Sequence, residues 1–549
     1  MTMARDRTDH DVLVLGAGSA GCVLASRLSE DRGRSVCLVE AGPDYGPYEV
    51  GRWPADLVFA NELATSHDWG FAGGWPSWRA KVVGGCSSHN GCFVAWPPPA
   101  DLDAWAAAGN EGWSYEALEP YRRRAHETLR VRPSRLEDLE PFMRAGLDAA
   151  TEIGLPLLDH FDDPDAVEGA SAIPVNAVED VRWSAAFAYL DPARERPNLT
   201  IVQDALVDRL HLEGDRAAGA LVRIGDDEIE IRARLVVLAA GAYGSPAILL
   251  RSGIGPGDEL ERLRLDIRQD VPGVGRNLTD HPRVEVVHRP TRELLDRTRH
   301  HLAGRPGRAQ TLIKIRSGSC PPDTWDLHVM IRVREPISDH RDRGDPVDPL
   351  AYLYVHAMKP ESRGSVRLRS KDPEVLPIVD HGFLTDTGGH DAETLRDGIG
   401  FARRLAETRA MSELLDGEID PGLVSEAELR EYIERSVGGY WHPVGTCRMG
   451  PADDVDAAAK ASPLYAKYGE RVDAQSAREL LAARLAKPVA AAEPAPEAEA
   501  APDPEPAHEK AAKATGGGAE AIGDFLNSSA GKQIQREVVR GVFGLLKKL

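Results

Sequence analysis

A glycine-rich turn near the N-terminus limits this chain more than any other feature. Residues 11–15 form a short apolar run, Asp11-Val-Leu-Val-Leu15, and Gly16-Ala-Gly18-Ser-Ala-Gly21 follows without a gap. A helical pattern carrying Ala25 and Leu28 comes next, and a second apolar run, Val36 to Val39, ends at Glu40. Strand, GxGxxG turn, helix and strand with a terminal acid make a βαβ unit, the opening of a doubly wound sheet. Gly16 permits the tight turn, Gly18 lets a pyrophosphate approach the backbone, and Gly21 lets the helix pack close to the strand. The helix N-terminus then faces the phosphates, and Glu40 can accept hydrogen bonds from a ribose. Dinucleotide binding is expected, and the turn alone does not separate FAD from NAD.

With 549 residues, the chain suits two or three domains. Its net charge of -21, from 87 acidic and 66 basic residues, argues against nucleic-acid or anionic-membrane binding. No long apolar run predicts a membrane span, and the N-terminus enters a strand without a signal segment, so a cytoplasmic protein is expected. Cysteines at 22, 37, 86, 92, 320 and 447 lack metal-ligand spacing and read as reduced thiols, with no zinc site.

Further strand patterns lie at 200–202 and 220–224, and Leu235-Val-Val-Leu-Ala-Ala-Gly241 reads as a buried strand ending in glycine. Residues 282–440 change texture, mixing strand patterns such as Val366-Arg-Leu-Arg with a helix over 391–407. The expected organisation is a dinucleotide-binding part over 1–281, a substrate domain over 282–440, and a truncated return to the first part over 441–456. A helical segment of foreign character follows over 457–486. Residues 487–519 are nearly all Ala, Glu, Pro, Lys and Gly, too poor in apolar surface to offset ordering entropy, and read as a disordered linker. An amphipathic helix closes the chain over 520–549, with Ile534, Val538 and Val542 on one stripe.

Residues 79–91, RAKVVGGCSSHNG, offer backbone N–H groups and hydroxyls in a loop that suits a phosphate or a flavin edge. Here the sequence resembles the glucose-methanol-choline (GMC) flavoprotein oxidoreductases. The resemblance is carried by the glycine turn, Glu40-Ala-Gly42-Pro43, the GGCSSHN loop and Gly241-Ala-Tyr-Gly-Ser245-Pro246. It continues through Pro272-Gly-Val-Gly-Arg-Asn-Leu278, Asp280-His-Pro282, Ser362-Arg-Gly-Ser-Val-Arg-Leu368 and His442-Pro-Val-Gly-Thr446, covering about 10–454. It implies a mixed α/β fold, with a Rossmann-like FAD-binding domain and an inserted antiparallel-sheet substrate domain. It also implies an FAD cradle of Gly16, Gly18, Gly21, Glu40, Gly84, Gly85, Ser87, His89, Asn90, Gly91, Cys92, Val207 and Gly241. The reaction implied is oxidation of a small alcohol, with oxygen or another acceptor regenerating the flavin; a homodimer is compatible with it.

Three residues carry sharper expectations. In the choline oxidase branch of the family the histidine of GGCSSHN attaches to the flavin, which makes His89 either a covalent link or a loop histidine bonded to backbone. That branch also follows Asp-His-Pro with a glutamate that pairs with the substrate ammonium, whereas this chain has Arg283. A guanidinium pointing inward repels choline and suits a carboxylate-bearing alcohol or a neutral polyol; the alternative is that Arg283 pairs with Glu285 or solvent. His442, held between Trp441 and Pro443, matches the family's catalytic histidine, and an imidazole can take a hydroxyl proton at neutral pH. No role is assigned to His281 or His328.

Beyond Asp454 the family pattern stops. The family's final strands, and the His or Asn that partners the first histidine, have no counterpart here. Instead Ser462-Pro-Leu-Tyr-Ala-Lys-Tyr-Gly469 and Gly531-Lys-Gln-Ile-Gln-Arg-Glu-Val-Val-Arg-Gly-Val-Phe-Gly544 resemble the C-terminal tail of bacterial HerA-like ATPases. No GxxxxGK[ST] loop accompanies them. A fusion that replaced the family C-terminus is expected to leave apolar surface uncovered, weaken flavin retention and lower activity.

Overall fold

The computed structural model describes residues 8–449, apart from 62–63, 65, 72–76, 305–306, 335–348 and 423–424. The expected segments 457–486, 487–519 and 520–549, with the end of the 441–456 return, lie outside the described residues. All described residues belong to one compact unit.

The N-terminal pattern forms β1 (Thr8–Leu15), α1 (Ser19–Leu28) and β2 (Val36–Val39). β1 and β2 pair in parallel, Val12 against Val36 through Leu15 against Val39, and every residue of β2 is buried. Continuous apolar runs suit strands covered on both faces, each sealed side chain contributing about 1.5–3 kcal/mol. The remaining strands of this sheet are β3 (Leu199–Val202), β4 (Leu206–Glu213), β5 (Arg216–Ile224) and β6 (Asp227–Leu238). Their order is β3-β2-β1-β6-β5-β4, the first four parallel and the last two added antiparallel as a hairpin edge. α2 (Gly241–Arg251) follows β6 after the Ala239-Ala240 turn.

A second, fully antiparallel sheet contains β7 (Arg283–Pro290), β8 (Thr311–Ile315), β9 (Leu327–Arg334), β10 (Leu350–Ala357) and β11 (Leu415–Asp420). Its order is β11-β7-β10-β9-β8, completed at the β8 edge by Gly169–Ala172. One face carries Val284, Val286, Leu353, Val355, Leu327, Val329 and Ile313, which pack with Phe142 and Met143 of the helix Pro141–Glu152 and with Leu395 and Ile399 of the helix His390–Ala406. The substrate-side layer is therefore wider than residues 282–440, because its edge strand and one covering helix come from before residue 282. Periodicity could not reveal this: Gly-Ala-Ser-Ala has no strand signature, and only its pairing with β8 makes it one.

Candidate active site and cofactor cavity

A cavity of about 740 Å³ opens at the C-terminal ends of β1, β2 and β6. Six of the expected cradle residues line it: Gly16, Gly18, Glu40, Gly85, Val207 and Gly241. Its size falls within the range of pockets that enclose a large organic ligand. Gly16 has φ +100°, and a Cβ there would meet the Ala239 carbonyl oxygen at 2.6 Å. Gly21 lies beneath the cavity, where a Cβ would stand 1.8 Å from the Gly16 oxygen; it serves the close packing of α1 rather than the ligand. A Cβ on Gly18 would meet no atom within 4 Å. The backbone is bare there toward the cavity, as a pyrophosphate cradle requires. Glu40 accepts the Ala17 N–H at 2.9 Å and the Gly42 N–H at 3.0 Å, leaving further lone pairs for a ribose. Burial raises its carboxyl to about 7 despite those two donors.

The GGCSSHN loop is a tight turn over Gly85–Ser88 laid against α1. Ser87 Oγ donates to the Gly84 carbonyl at 2.6 Å and accepts the Ala185 N–H at 2.9 Å, so Gly84 and Ser87 hold the loop from within. Asn90, Gly91 and Cys92 do not line the cavity. Asn90 Oδ1 accepts the Cys92 N–H, the Gly91 carbonyl accepts from Arg308, and Cys92 packs with Ala60, Val175 and Ala177. The chain surfaces at Asn90 and re-enters the core at Cys92, and these three residues support the loop. His89, half-buried at its end, does not line the cavity either; burial and the Arg79 and Arg182 guanidiniums lower its imidazole to about 4. Sequence reading missed Arg182. Its buried guanidinium donates to the carbonyls of Asn90 (2.9 Å), Asp56 (2.8 Å), Leu57 (2.7 Å) and Ser88 (3.1 Å), pinning the loop from below. A single arginine in Val-Arg-Trp-Ser carries no local sign of that task.

Pro443 and Val444 line the far end of the cavity, next to His442. His442 is accessible by surface area yet enclosed by protein on most sides, the situation of a ring on the floor of a hollow. That enclosure, with His281 and Arg79 nearby, lowers its imidazole to about 3 and keeps it neutral. Its ring lies 5.5 Å from His281 and 4.3 Å from Tyr440 between centroids. Asp280 organises the segment: its buried Oδ1 accepts the N–H groups of His281 (2.8 Å), His442 (3.0 Å) and Tyr440 (3.4 Å). Burial raises the Asp280 carboxyl to about 6. Asp280→Ala is expected to lower kcat about 10- to 100-fold and reduce the melting midpoint, because it strands buried donors and frees the backbone of His442. Steady-state kinetics and thermal melting check this.

Trp441 adopts φ +62°, stacks on Trp78 at 5.7 Å and gives its carbonyl to Arg79 at 2.6 Å. Arg283 is buried, pairs with Glu285 at 3.0 Å, and holds its guanidinium 5.0 Å from the Tyr354 ring and 5.1 Å from the Trp441 ring. Arg283 makes the Glu285 pairing and also faces the Trp441 ring, so the residue braces the segment that carries His442.

Burial lowers His89, His281, His381 and His442 to about 3–4 and His328 and His356 well below 6.5. Free histidine titrates near 6.5, so below that pH the unfolded chain binds more protons and stability falls until the folded-state values are reached. Glu40, Asp162, Asp191 and Asp280 are raised by burial and act in the opposite sense, but they are outnumbered. The melting midpoint is therefore expected to be level above pH 7 and to drop between pH 6.5 and 4.5. A level midpoint down to pH 5, measured by scanning fluorimetry, contradicts this.

GMC oxidoreductase family models match residues 10–283 and 360–461, and a Helicase HerA-like C-terminal model matches 442–548. The tail resemblance thus begins at 442, earlier than expected, and overlaps the GMC match. Choline oxidase of Arthrobacter globiformis is 33% identical over 486 residues, covering 81% of this chain and 85% of that protein. Oxygen-dependent choline dehydrogenase of Brucella anthropi is 30% identical, covering 82% and 88%. Among solved structures, pyridoxine 4-oxidase from Mesorbium loti superposes with a TM-score of 0.69 at 27% identity, covering 81% and 90%. A fungal aryl-alcohol oxidase shares the fold with a TM-score of 0.63 at 20% identity, covering 82% and 91%. No helix among the described residues is long and apolar enough to cross a membrane. The parallel-sheet cavity, the antiparallel second sheet and the family matches together make this chain a member of the GMC oxidoreductases, the family of FAD-dependent alcohol oxidases and dehydrogenases.

Proposed function

We propose that this chain oxidises the CH–OH group of a small, uncharged alcohol, with a ring nitrogen of His442 accepting the hydroxyl proton. Bound FAD supplies the acceptor for the hydride at flavin N5, and oxygen or another acceptor restores it. Gly16, Gly18, Glu40, Gly85, Val207 and Gly241 would hold FAD, and His89 would carry a covalent link to it. The carrying observation is a neutral imidazole at His442, its backbone N–H fixed by Asp280, directly before the residues that line the cavity. A base must be unprotonated at working pH, which the enclosure of His442 favours, and must be held within reach of the hydroxyl, which its fixed backbone favours. The product is the aldehyde or ketone.

Choline, the substrate named for the Arthrobacter globiformis and Brucella anthropi relatives, fits poorly. A quaternary ammonium seeks aromatic faces, and Tyr354 and Trp441 already face the Arg283 guanidinium. Anaerobic bleaching of the flavin spectrum by an alcohol panel that includes choline tests the reading; bleaching by choline alone overturns the substrate class, and none by any alcohol overturns the activity. Acid precipitation tests His89, since yellow colour remaining wholly in the supernatant removes the covalent link.

A second reading, a catalytically impaired flavoprotein, draws support from the HerA-like match at 442–548 and from β6. Parallel strands are normally sealed on both faces, yet Leu235 is 38% exposed and Val236 and Val237 are half-buried. Comparing flavin content and turnover with a chain bearing a family-type C-terminus decides between them; equal values reject impairment.

A further inference from the structure

The face of the second sheet opposite its core carries a row that runs across four strands. Strand pairing sets Arg283 of β7 against His356 of β10, His356 against His328 of β9, and His328 against Lys314 of β8. Directly paired residues share a face, with Cβ atoms about 5 Å apart. The ends of the row are engaged: Arg283 pairs with Glu285, and Lys314 donates to the Phe161 carbonyl at 2.9 Å. His356 stacks on Tyr440 at 3.8 Å, which links the row to His442.

His328 differs from its neighbours. It is 3% exposed, and among the described residues neither ring nitrogen has a hydrogen-bond partner. Its ring is fixed by stacking on Trp325 at 4.5 Å and by the edge of Phe161 at 5.5 Å. His281 and His442 both lie close enough to influence its charge. Buried polar atoms in native proteins are paired with protein, ordered water or a bound group, and both nitrogens of one buried ring without a protein partner leave room for such a group. A neutral imidazole offers one N–H and one lone pair on different edges of the ring, and an alcohol hydroxyl, which donates as well as accepts, can bond at either edge.

We propose that His328 is a specificity-determining residue, binding a second hydroxyl of the substrate while His442 takes the proton of the first. This rests on the activity proposed above and narrows its substrate class to diols and longer polyols. A site built to bond a hydroxyl discriminates strongly against an analogue that lacks it, because the site's own polar atoms are then left unpaired.

The test compares kcat/KM for pentane-1,5-diol against pentanol, and propane-1,3-diol against propanol, in the full chain and in His328→Leu and His328→Gln. Wild type should prefer one diol over its partner about 10- to 100-fold. His328→Leu should erase that preference while leaving the simple alcohol within about threefold, and His328→Gln, which keeps a donor and an acceptor, should retain it. An unchanged preference in His328→Leu overturns the proposal, as does an equal loss on both alcohols with flavin content preserved. If His328→Leu does not fold, His328→Met gives the same reading. If wild type turns over no alcohol, the activity is what fails, and titration calorimetry with the diol decides the inference: tighter binding by wild type supports it, and equal binding by the leucine or methionine variant rejects it.

Discussion

His442→Ala is expected to lower kcat for alcohol oxidation by about 10²–10⁴-fold, the range set by removing a positioned general base. Flavin content should be unchanged, because His442 itself does not line the cofactor cavity. KM should change far less than kcat, since the proton moves only as the transition state forms. The pH profile gives a second reading. With its imidazole at about 3, His442 is unprotonated throughout the neutral range and below it, so no loss of kcat/KM centred on 6.5 should come from this residue. An acid limb near 6 belongs to Asp280, whose protonation weakens its hold on the His442 N–H, and it should vanish in Asp280→Asn. A His442→Ala variant retaining a tenth or more of wild-type kcat removes the residue from the chemistry.

The second large effect separates cofactor binding from folding within one turn. Gly18→Val is expected to lower bound flavin at least about 10-fold while leaving the melting midpoint of the flavin-free protein within about 2 °C. The position has φ -71°, which any residue adopts, and its added Cβ would meet only open space in the protein itself. Gly21→Ala should do the reverse. Its Cβ would stand 1.8 Å from the Gly16 oxygen, so α1 must move away from β1 or the unit fails to form, and soluble protein is lost. Flavin absorbance per protein together with apo-protein melting distinguishes the two outcomes. Equal flavin loading by Gly18→Val and wild type would falsify the cradle.

The glycine predictions lie where sequence was most legible. The βαβ unit is local, and its glycines, apolar runs and terminal acid all fall within residues 11–40, so pattern and structure coincide there. The second sheet was legible only as a change of texture. Its edge strand Gly169–Ala172 takes its state from β8, more than a hundred residues on, and a short run of small residues says nothing about that partner. The same limit hid the row from Arg283 to Lys314. Each member is an unremarkable polar residue within an apolar strand, and only the pairing register sets them side by side. The Arg283–Glu285 pair is the exception, because its members are two residues apart on one strand and so share a face that the sequence spacing shows.

That alternation along the second sheet divides its residues into two sets with separate duties. Positions of one parity, such as Val284, Leu327, Val329 and Val355, carry the stability of the layer, while the other parity includes Arg283, Met330 and His356, which pack against Trp441 and Tyr440 beside His442, and His328 in the same row. A chain arranged in this way can exchange one set without disturbing the other. Its range of substrates can shift while the scaffold stays the same, and a library at residues 328, 330 and 356 restricted to neutral side chains of similar volume should lose few members to misfolding.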